Sequence, residues 1–314
     1  MSELLERLRR GEVLVADGAM GTMLQERGLK PGQSPEALNL SETKVLEEIA
    51  QLYLEAGADL IQTNTFGGSP LKLAAYGLSE KTEEVNGNAV LAARKSAAGK
   101  AYVCASCGPT GRLLKPHGDA DPEEVLAAYA RQIKALIAAG ADAVCVETMT
   151  DLNEAALAVR AAKSVSPDIP VIASMTFDKT KRGFYTMMGV SVAQAAEGLA
   201  KAGADVVGSN CGNGIATMVE IVRELRKHSS LPILARANAG LPEMKEGKAV
   251  YGESPQFTAA KVQDLIAAGA NIIGGCCGTT PAHTHGIKAQ VKSLYRLFTE
   301  PLLTFYHCGP TLAA

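Results

Sequence analysis

The segment AAGADAVCVETMT (138–150) is the most informative about the fold, because its layout recurs three more times along the chain. The related segments are EAGADLIQTNTF (55–66), KAGADVVGSNCG (201–212) and AAGANIIGGCCG (267–278). Each segment ends a helix with Ala-Gly, and the glycine is suited to a left-handed cap. An Ala-Asp or Ala-Asn turn then leads into a short apolar strand. The repeat therefore predicts four units in which a strand follows a helix.

Four more apolar strands lack this lead, and helical patterns separate all eight. These strands are VLVADG (13–18), AYVCASCG (101–108), PVIASMTF (170–177) and PILARANAG (232–240). The helical patterns cover 42–57, 82–98, 122–140, 151–166, 191–203, 216–228, 255–269 and 281–297. Alternating strands and helices predict parallel, right-handed units. In one domain of 314 residues these units close most economically into a (β/α)8 TIM barrel, with a doubly wound open sheet as the alternative.

The two ends of the chain fall outside the repeat. Residues 1–10 predict an extra N-terminal helix that covers the bottom of the barrel, so the barrel domain is assigned to 1–298. Residues 299–314 have no clear hydrophobic period and are interpreted as a tail or linker.

Composition narrows the class of protein. With 47% hydrophobic and 20% charged residues the chain has the makeup of a globular protein, and a net charge of −2 indicates neither a nucleic-acid nor an anionic-membrane partner. No apolar run of about 18 residues appears, and the charged start is unlike a signal peptide, so a cytoplasmic protein is expected. Seven cysteines in such a protein indicate thiols or metal ligands rather than a disulfide framework.

Three cysteines stand at the carboxyl ends of predicted strands, where barrel active sites lie. Cys211 ends the sixth strand, and Cys276 and Cys277 end the eighth. Three thiolates that converge on the rim and leave a fourth position open are what a catalytic zinc site requires. Adjacent residues of a regular strand point to opposite faces, so the backbone must leave strand geometry there, which the neighbouring glycines permit. The alternative is that all three are small buried apolar residues.

Two acids also end strands. Asp17 follows the first strand and Glu147 lies at the end of the fourth. An unpaired buried carboxylate is costly, so each faces solvent or binds a cation such as a substrate ammonium group. Helix capping or a local salt bridge is the alternative. Asn238 could offer its amide oxygen to the substrate or to the open metal position, or it could serve a turn.

Small residues after the first strand form a loop without the pattern of a phosphate loop. The backbone N–H groups of Gly18, Ala19 and Met20 could hold a carboxylate. Cys104 and Cys107 spell a CxxC, but on a strand they face opposite sides, which favours packing over redox chemistry. His283 and His285 are expected at the surface of the last helix, because residues two apart on a helix do not share a face.

Seven motifs occur here in the order found in one family. They are DGAMGTMLQERG, QTNTFGG, CGPTGRL, VETMTDLNEA, SNCG, NAG and GGCCGTTPAH, and they extend over about residues 13–297. The chain resembles the homocysteine methyltransferases, and among them the homocysteine-binding barrel of the cobalamin-dependent methionine synthases. The resemblance implies that Cys211, Cys276 and Cys277 hold Zn2+. It further implies that Asp17 and Glu147 bind the substrate ammonium group, that Asn238 lies near the metal, and that Gly18, Ala19 and Met20 lie near the substrate carboxylate.

The activity implied by the resemblance is methyl transfer to the sulfur of L-homocysteine, giving methionine. The expected donor is methylcobalamin carried by a partner corrinoid protein or domain. Stand-alone relatives use S-methylmethionine or betaine instead, and RGFYTMMGVSV (182–192) departs from the usual sequence after the fifth strand. The rival interpretations are a non-catalytic zinc-binding subunit and a barrel lyase or aldolase that uses the rim acids. No lysine at a strand end is available for a Schiff base, which counts against the lyase.

Overall fold

Eight parallel strands form the central sheet of the computed structural model, which describes residues 2–245 and 248–299. They are β1 (Leu14–Val15), β2 (Leu60–Gln62), β3 (Tyr102–Cys107), β4 (Ala143–Met149), β5 (Val171–Met175), β6 (Val206–Asn210), β7 (Ile233–Ala237) and β8 (Ile272–Gly275). Each strand pairs with its neighbours in the chain, and β1 pairs with β8. A parallel bridge between Ala16 and Leu60 joins β1 to β2 and closes the barrel. The predicted (β/α)8 barrel is confirmed.

Helices surround the strands. Within the described residues they are α1 (Glu3–Arg9), α2 (Met20–Glu26), α3 (Leu38–Ser41), α4 (Thr43–Glu55), α5 (Pro70–Leu73), α6 (Thr82–Ala97), α7 (Pro122–Ala138), α8 (Leu152–Val165), α9 (Val192–Ala202), α10 (Ile215–His228), α11 (Pro255–Ala260), α12 (Val262–Ala268) and α13 (Pro281–Thr299). The helix predicted at 255–269 is divided at Lys261, whose N–H bonds to Thr258 O, three residues back, at 3.1 Å. No helix among residues 2–245 and 248–299 is long and apolar enough to cross a membrane.

The Ala-Gly-Ala-Asp repeat performs one structural task four times. Its glycines are left-handed, with φ of +96° at Gly57, +100° at Gly140, +108° at Gly203 and +106° at Gly269. The Asp or Asn two residues later accepts the N–H of a residue in the preceding strand, in the pairs Asp59–Val15 (2.8 Å), Asp142–Val103 (2.7 Å), Asp205–Val171 (2.8 Å) and Asn271–Ile233 (3.0 Å). Each repeat thus ties an even strand to the odd strand before it, which explains why this motif predicts the barrel.

The lower half of the barrel interior is apolar. Leu60, Cys104, Cys145, Ile172 and Leu234 point into it from their strands and are buried together. Leu4, Leu5 and Leu8 of α1 belong to the same buried cluster. The N-terminal helix therefore closes the bottom of the barrel, as the sequence predicts, and leaves the opposite end for chemistry.

Two β-hairpins that were not predicted rise from the carboxyl end. One, formed by Asp178–Thr180 and Gly183–Tyr185, follows β5. The other, formed by Pro242–Lys245 and Lys248–Tyr251, follows β7. The predicted tail begins at residue 299, where α13 ends, and residues 300–314 lie outside the described residues.

Candidate metal centre and substrate cavity

A polar layer lies directly above the apolar part of the barrel interior. Strand residues two apart share a face, so the residue two positions after an inward apolar side chain also points inward. This step leads from Leu60 to Gln62, from Cys104 to Ser106, from Cys145 to Glu147 and from Leu234 to Arg236. All four polar residues are buried. Sequence reasoning missed Gln62, Ser106 and Arg236, although this period of two could have found them.

The three predicted thiols converge at the carboxyl end of the barrel. The sulfur atoms of Cys211, Cys276 and Cys277 lie within 4.8 Å of one another, and the three residues are half-buried. Cys211 adopts a left-handed backbone with φ of +62°, an uncommon conformation for a non-glycine residue that turns it off the end of β6. Among the described residues, no further His, Cys, Asp or Glu belongs to this group.

The backbone around Cys276 and Cys277 departs from strand geometry as predicted. β8 ends at Gly275, and Gly278 is left-handed with φ of +77°. A Cβ atom at Gly275 would lie 2.1 Å from Thr279 Oγ1, which donates a hydrogen bond to Cys276 O at 2.7 Å. The glycine therefore lets the loop fold back on itself, and adjacent cysteines reach the same point.

The surroundings of the thiols suit a thiophilic metal ion. Hydrogen bonds from the thiols of Cys276 and Cys277 hold the pKa of Cys211 far below its usual range. The same contact with Cys211 raises the pKa of Cys276. Asn238 Oδ1 is buried and has no hydrogen-bond partner in the described part of the chain, while its Nδ2 lies 3.4 Å from Gly212 O. Sulfur ligands with an unpaired oxygen donor close by are a set that zinc accepts.

A cavity of about 250 Å³ opens beside the thiols. Its lining includes Gly18, Ala19, Met20, Phe66, Glu147, Arg236 and the three cysteines. Asp17 and Asn238 lie next to this lining rather than in it. The cavity therefore brings together the thiols, one predicted acid and the predicted carboxylate loop.

Glu147 reaches the cavity from the irregular end of β4. The register between β4 and β5 shifts after Val146, and Thr148 is left-handed with φ of +59°. Glu147 Oε1 accepts hydrogen bonds from Gln62 Nε2 at 2.9 Å and from Ser106 Oγ. In residues 2–245 and 248–299 no hydrogen bond reaches Oε2. The carboxylate is thus fixed through one oxygen and free through the other.

Asp17 already has a cationic partner in the protein. Arg236 Nη2 donates to Asp17 Oδ1 at 2.8 Å, and the N–H of Gln62 donates to Oδ2 at 2.7 Å. Burial raises the pKa of Asp17 to about 6 despite this arginine. Burial opposes the charge of Arg236, but the carboxylates of Asp17 and Glu147 outweigh it and raise the pKa of Arg236 above its usual value. The salt bridge that the sequence allows as an alternative is present between Asp17 and Arg236. The ammonium-binding role of Asp17 stays a prediction.

The loop after β1 is held against the cysteine loop. Tyr53 Oη lies 3.0 Å from Ala19 O and 3.2 Å from Thr279 O, within donating distance of both. A Cβ atom at Gly18 would lie 2.8 Å from the same Oη, so this close approach requires glycine. α2 begins at Met20, so the N–H groups of its first turn have no partner within the helix.

The predictions for the CxxC cysteines and for His285 are confirmed, and the prediction for His283 is wrong. Cys104 packs inside the barrel and Cys107 against the surrounding helices, which confirms that they face opposite sides. His285 is exposed, as expected. The surface placement of His283 is wrong: it is buried, with Nδ1 3.1 Å from Thr280 N and Nε2 3.0 Å from Glu253 O. Two histidines two apart cannot share a face, so one of them turned inward.

Comparisons with known proteins agree with this geometry. A family model described as homocysteine S-methyltransferase matches residues 14–291. The methionine synthase of Mycobacterium leprae is 36% identical over 92% of this chain and 25% of its own length. That of Mycobacterium tuberculosis is 35% identical over 94% of this chain and 26% of its own length. The chain thus spans about a quarter of these curated relatives.

Solved structures show the same architecture. The homocysteine methyltransferase MmuM of Escherichia coli, in its metallated form, is 25% identical with a TM-score of 0.76. The alignment covers 91% of this chain and 98% of that protein.

Proposed function

The chain belongs to the homocysteine S-methyltransferase family, and from this premise we propose that it transfers a methyl group to the sulfur of L-homocysteine, giving methionine. The convergence of Cys211, Cys276 and Cys277 beside a cavity is the observation that carries the proposal. It supports a substrate whose thiol joins the three protein sulfurs, because no fourth His, Cys, Asp or Glu among the described residues completes the group.

Zinc is the metal we propose for the three cysteines. When bound, it would lower the pKa of a coordinated thiol and keep it deprotonated at neutral pH. The convergence of three sulfur atoms within 4.8 Å of one another supports a cationic partner for this group. Asn238, with its unpaired Oδ1, is the protein group that could stand at the remaining position before the substrate arrives.

The cavity walls orient the rest of the substrate in this proposal. Oε2 of Glu147 accepts a hydrogen bond from the substrate ammonium group, while Gln62 and Ser106 donate hydrogen bonds to Oε1. Backbone N–H groups of Gly18, Ala19 and Met20, which line the cavity, donate hydrogen bonds to the substrate carboxylate. Two fixed ends leave the thiol to point toward the cysteines, which lowers the entropic cost of reaching the reactive geometry.

The transfer needs no general base from the protein. The substrate thiol releases its proton to water, its sulfur forms a bond to the methyl carbon, and the bond between that carbon and the donor breaks. The electron pair of that bond leaves with the donor. The protein's part is to hold the sulfur at the mouth of the barrel, where a donor can approach it in line.

A corrinoid protein or domain that carries methylcobalamin is our first choice of donor. Apolar side chains exposed on rim loops support a protein partner, because such groups mark interaction surfaces. Phe66, Met187, Met188, Leu241 and Met244 are 39%, 82%, 38%, 65% and 70% exposed. The alternative is a small donor, S-methylmethionine or betaine, which would enter the same mouth.

Turnover assays separate these donors. The reduced, zinc-loaded protein is incubated with L-homocysteine and with methylcobalamin, S-methylmethionine or betaine in turn, and methionine is measured. Methionine from methylcobalamin alone supports the corrinoid proposal, and turnover with the sulfonium or betaine contradicts it. If no donor gives methionine and homocysteine leaves the metal ligands unchanged, the non-catalytic zinc-binding subunit is the better account. A Cys211→Ser variant is the control for reaction away from this site.

A further inference from the structure

Arg236 presents a charged edge to the cavity that the proposed function leaves unused. Its Nε donates to Gly275 O at 2.9 Å, and its Nη2 donates to Asp17 Oδ1 at 2.8 Å. In the described part of the chain no hydrogen bond engages Nη1, although the arginine lines the cavity and its side chain is only 4% exposed. Nη1 itself keeps some solvent-accessible surface, and a guanidinium nitrogen in a mostly buried site ordinarily has an acceptor. Nη1 is therefore a donor that fits an anion in the cavity.

Glu147 offers the opposite charge in the same cavity. Its Oε2 is free of hydrogen bonds from the described residues, as noted above. No ion pair within 4.0 Å joins Arg236 to Glu147 among those residues, so neither Nη1 nor Oε2 is occupied by the other side chain. One free cationic edge and one free anionic oxygen match the carboxylate and the ammonium group of an α-amino acid.

We propose that Arg236 is a substrate ligand whose Nη1 binds the α-carboxylate and thereby selects thiols that are amino acids. Nη2 also lies 3.3 Å from Gly18 O, which sets the guanidinium against the loop whose N–H groups are expected to receive the same carboxylate. At the substrate carboxylate, the backbone N–H groups supply partial positive charges and Arg236 supplies a full positive charge. The inference rests on the proposed function, because it takes the substrate to be homocysteine.

Asp17 acquires a supporting role in this arrangement. By holding Nη2 through Oδ1, it restrains the guanidinium and leaves Nη1 without a protein acceptor among the described residues. Arg236 in turn occupies the Asp17 carboxylate, so Glu147 is the acid left for the substrate ammonium group. The sequence predicts the same role for Asp17 and Glu147, but here their roles differ. Glu147 binds the substrate, and Asp17 positions Arg236.

Substitution of Arg236 by lysine distinguishes the role of the side that contacts Asp17 from the role of Nη1. Arg236→Lys keeps a cation beside Asp17 but cannot present a second, fixed donor edge to the cavity. Arg226→Lys is the matched control, because Arg226 donates to Gly269 O and Asn271 Oδ1 at the opposite end of the barrel. If Arg236→Lys does not fold, Asp17→Asn combined with Arg236→Met removes both charges of the pair and serves in its place.

Calorimetry on the zinc-loaded protein measures the binding of three thiols. They are L-homocysteine, 3-aminopropane-1-thiol, which lacks the carboxylate, and 4-sulfanylbutanoate, which lacks the ammonium group. Loss of one charge-assisted hydrogen bond corresponds to about a 10- to 100-fold loss of affinity. We expect Arg236→Lys to weaken homocysteine and 4-sulfanylbutanoate by this factor and to leave 3-aminopropane-1-thiol unchanged. Arg226→Lys should bind all three like the unmodified protein.

Two results would overturn the inference, and they are distinguishable. If Arg236→Lys keeps the full preference for homocysteine over 3-aminopropane-1-thiol, the backbone loop alone binds the carboxylate, and the proposed function survives. If the unmodified zinc-loaded protein binds no homocysteine, the proposed function fails and this inference fails with it.

Discussion

Replacing Arg236 with methionine is expected to destabilise the protein by an amount that grows with pH. Methionine occupies a similar length of side chain but removes the cation that lies 2.8 Å from Asp17. The two residues are 3% and 2% exposed, so water cannot replace the lost partner. Removing one member of a buried ion pair costs about 3–5 kcal/mol, and we expect a loss in that range at neutral pH.

Asp17 gives this loss its pH dependence. Burial raises the pKa of Asp17 to about 6 in the folded protein, whereas an aspartate of the unfolded chain has a pKa of about 3.9. The folded state therefore holds the proton more tightly, so the free energy of unfolding falls as pH rises from about 4 to about 6 and then levels off. Without Arg236 the pKa of Asp17 rises further. The decline then continues above pH 6, at no more than about 1.4 kcal/mol per pH unit.

Urea denaturation of two variants isolates this effect. Arg236→Met is compared with Arg236→Met combined with Asp17→Asn, at several pH values from about 6 to about 8. Both variants keep the cysteines, so any contribution of metal cancels in the difference. We expect the double variant to be the more stable, by a margin that widens with pH, because it has no carboxylate to ionise. Equal stability at every pH would refute the argument that Asp17 needs this arginine.

Three further predictions concern the N-terminal helix, the Asp side chains that bond to neighbouring strands, and the thiols. Leu8→Ala should lower the free energy of unfolding by about 2–5 kcal/mol, because Leu8 is 3% exposed where α1 packs against the bottom of the barrel. Leu91→Ala, at a site that is 58% exposed, should change it little, and urea denaturation measures both. Asp205→Ala should destabilise by about 1–3 kcal/mol, since it leaves a strand N–H unpaired. Asp205→Asn should cost less in the same assay, because Asn271 already makes the equivalent bond in the fourth repeat. Cys211→Ser should lower the bound zinc from about one ion per chain to a small fraction, measured by elemental analysis, because two thiolates remain.

The fold was predictable because one motif carries both local and long-range information. A glycine cap ends the helix, and the Asp or Asn that follows it bonds to the neighbouring strand, as Asp59 does to Val15. The hairpin at 178–185 was missed because its first strand is exposed and its second is only partly buried, so neither has the apolar alternation of a core strand. The division of the helix at Lys261 was missed because the apolar period continues across it.

The position of a site residue was predictable where a thiol or a carboxylate stands at the carboxyl end of a predicted strand. The cysteines and Glu147 met that condition, and their place around the cavity follows from the barrel. Arg236 did not, because a single cation inside PILARANAG has no local partner in the sequence. Its counter-charge, Asp17, comes from the other end of the chain. Pairings of this kind depend on closure of the barrel, which no local pattern records.

X-ray absorption at the zinc edge tests whether homocysteine binds the metal through its sulfur, because it counts the sulfur atoms bound to zinc. The reduced, zinc-loaded protein is measured with and without L-homocysteine, and the Cys211→Ser variant serves as the control. We expect three sulfur ligands that become four when homocysteine binds. Three sulfurs that stay three in saturating homocysteine, or protein that retains no zinc when freshly reduced, would contradict it.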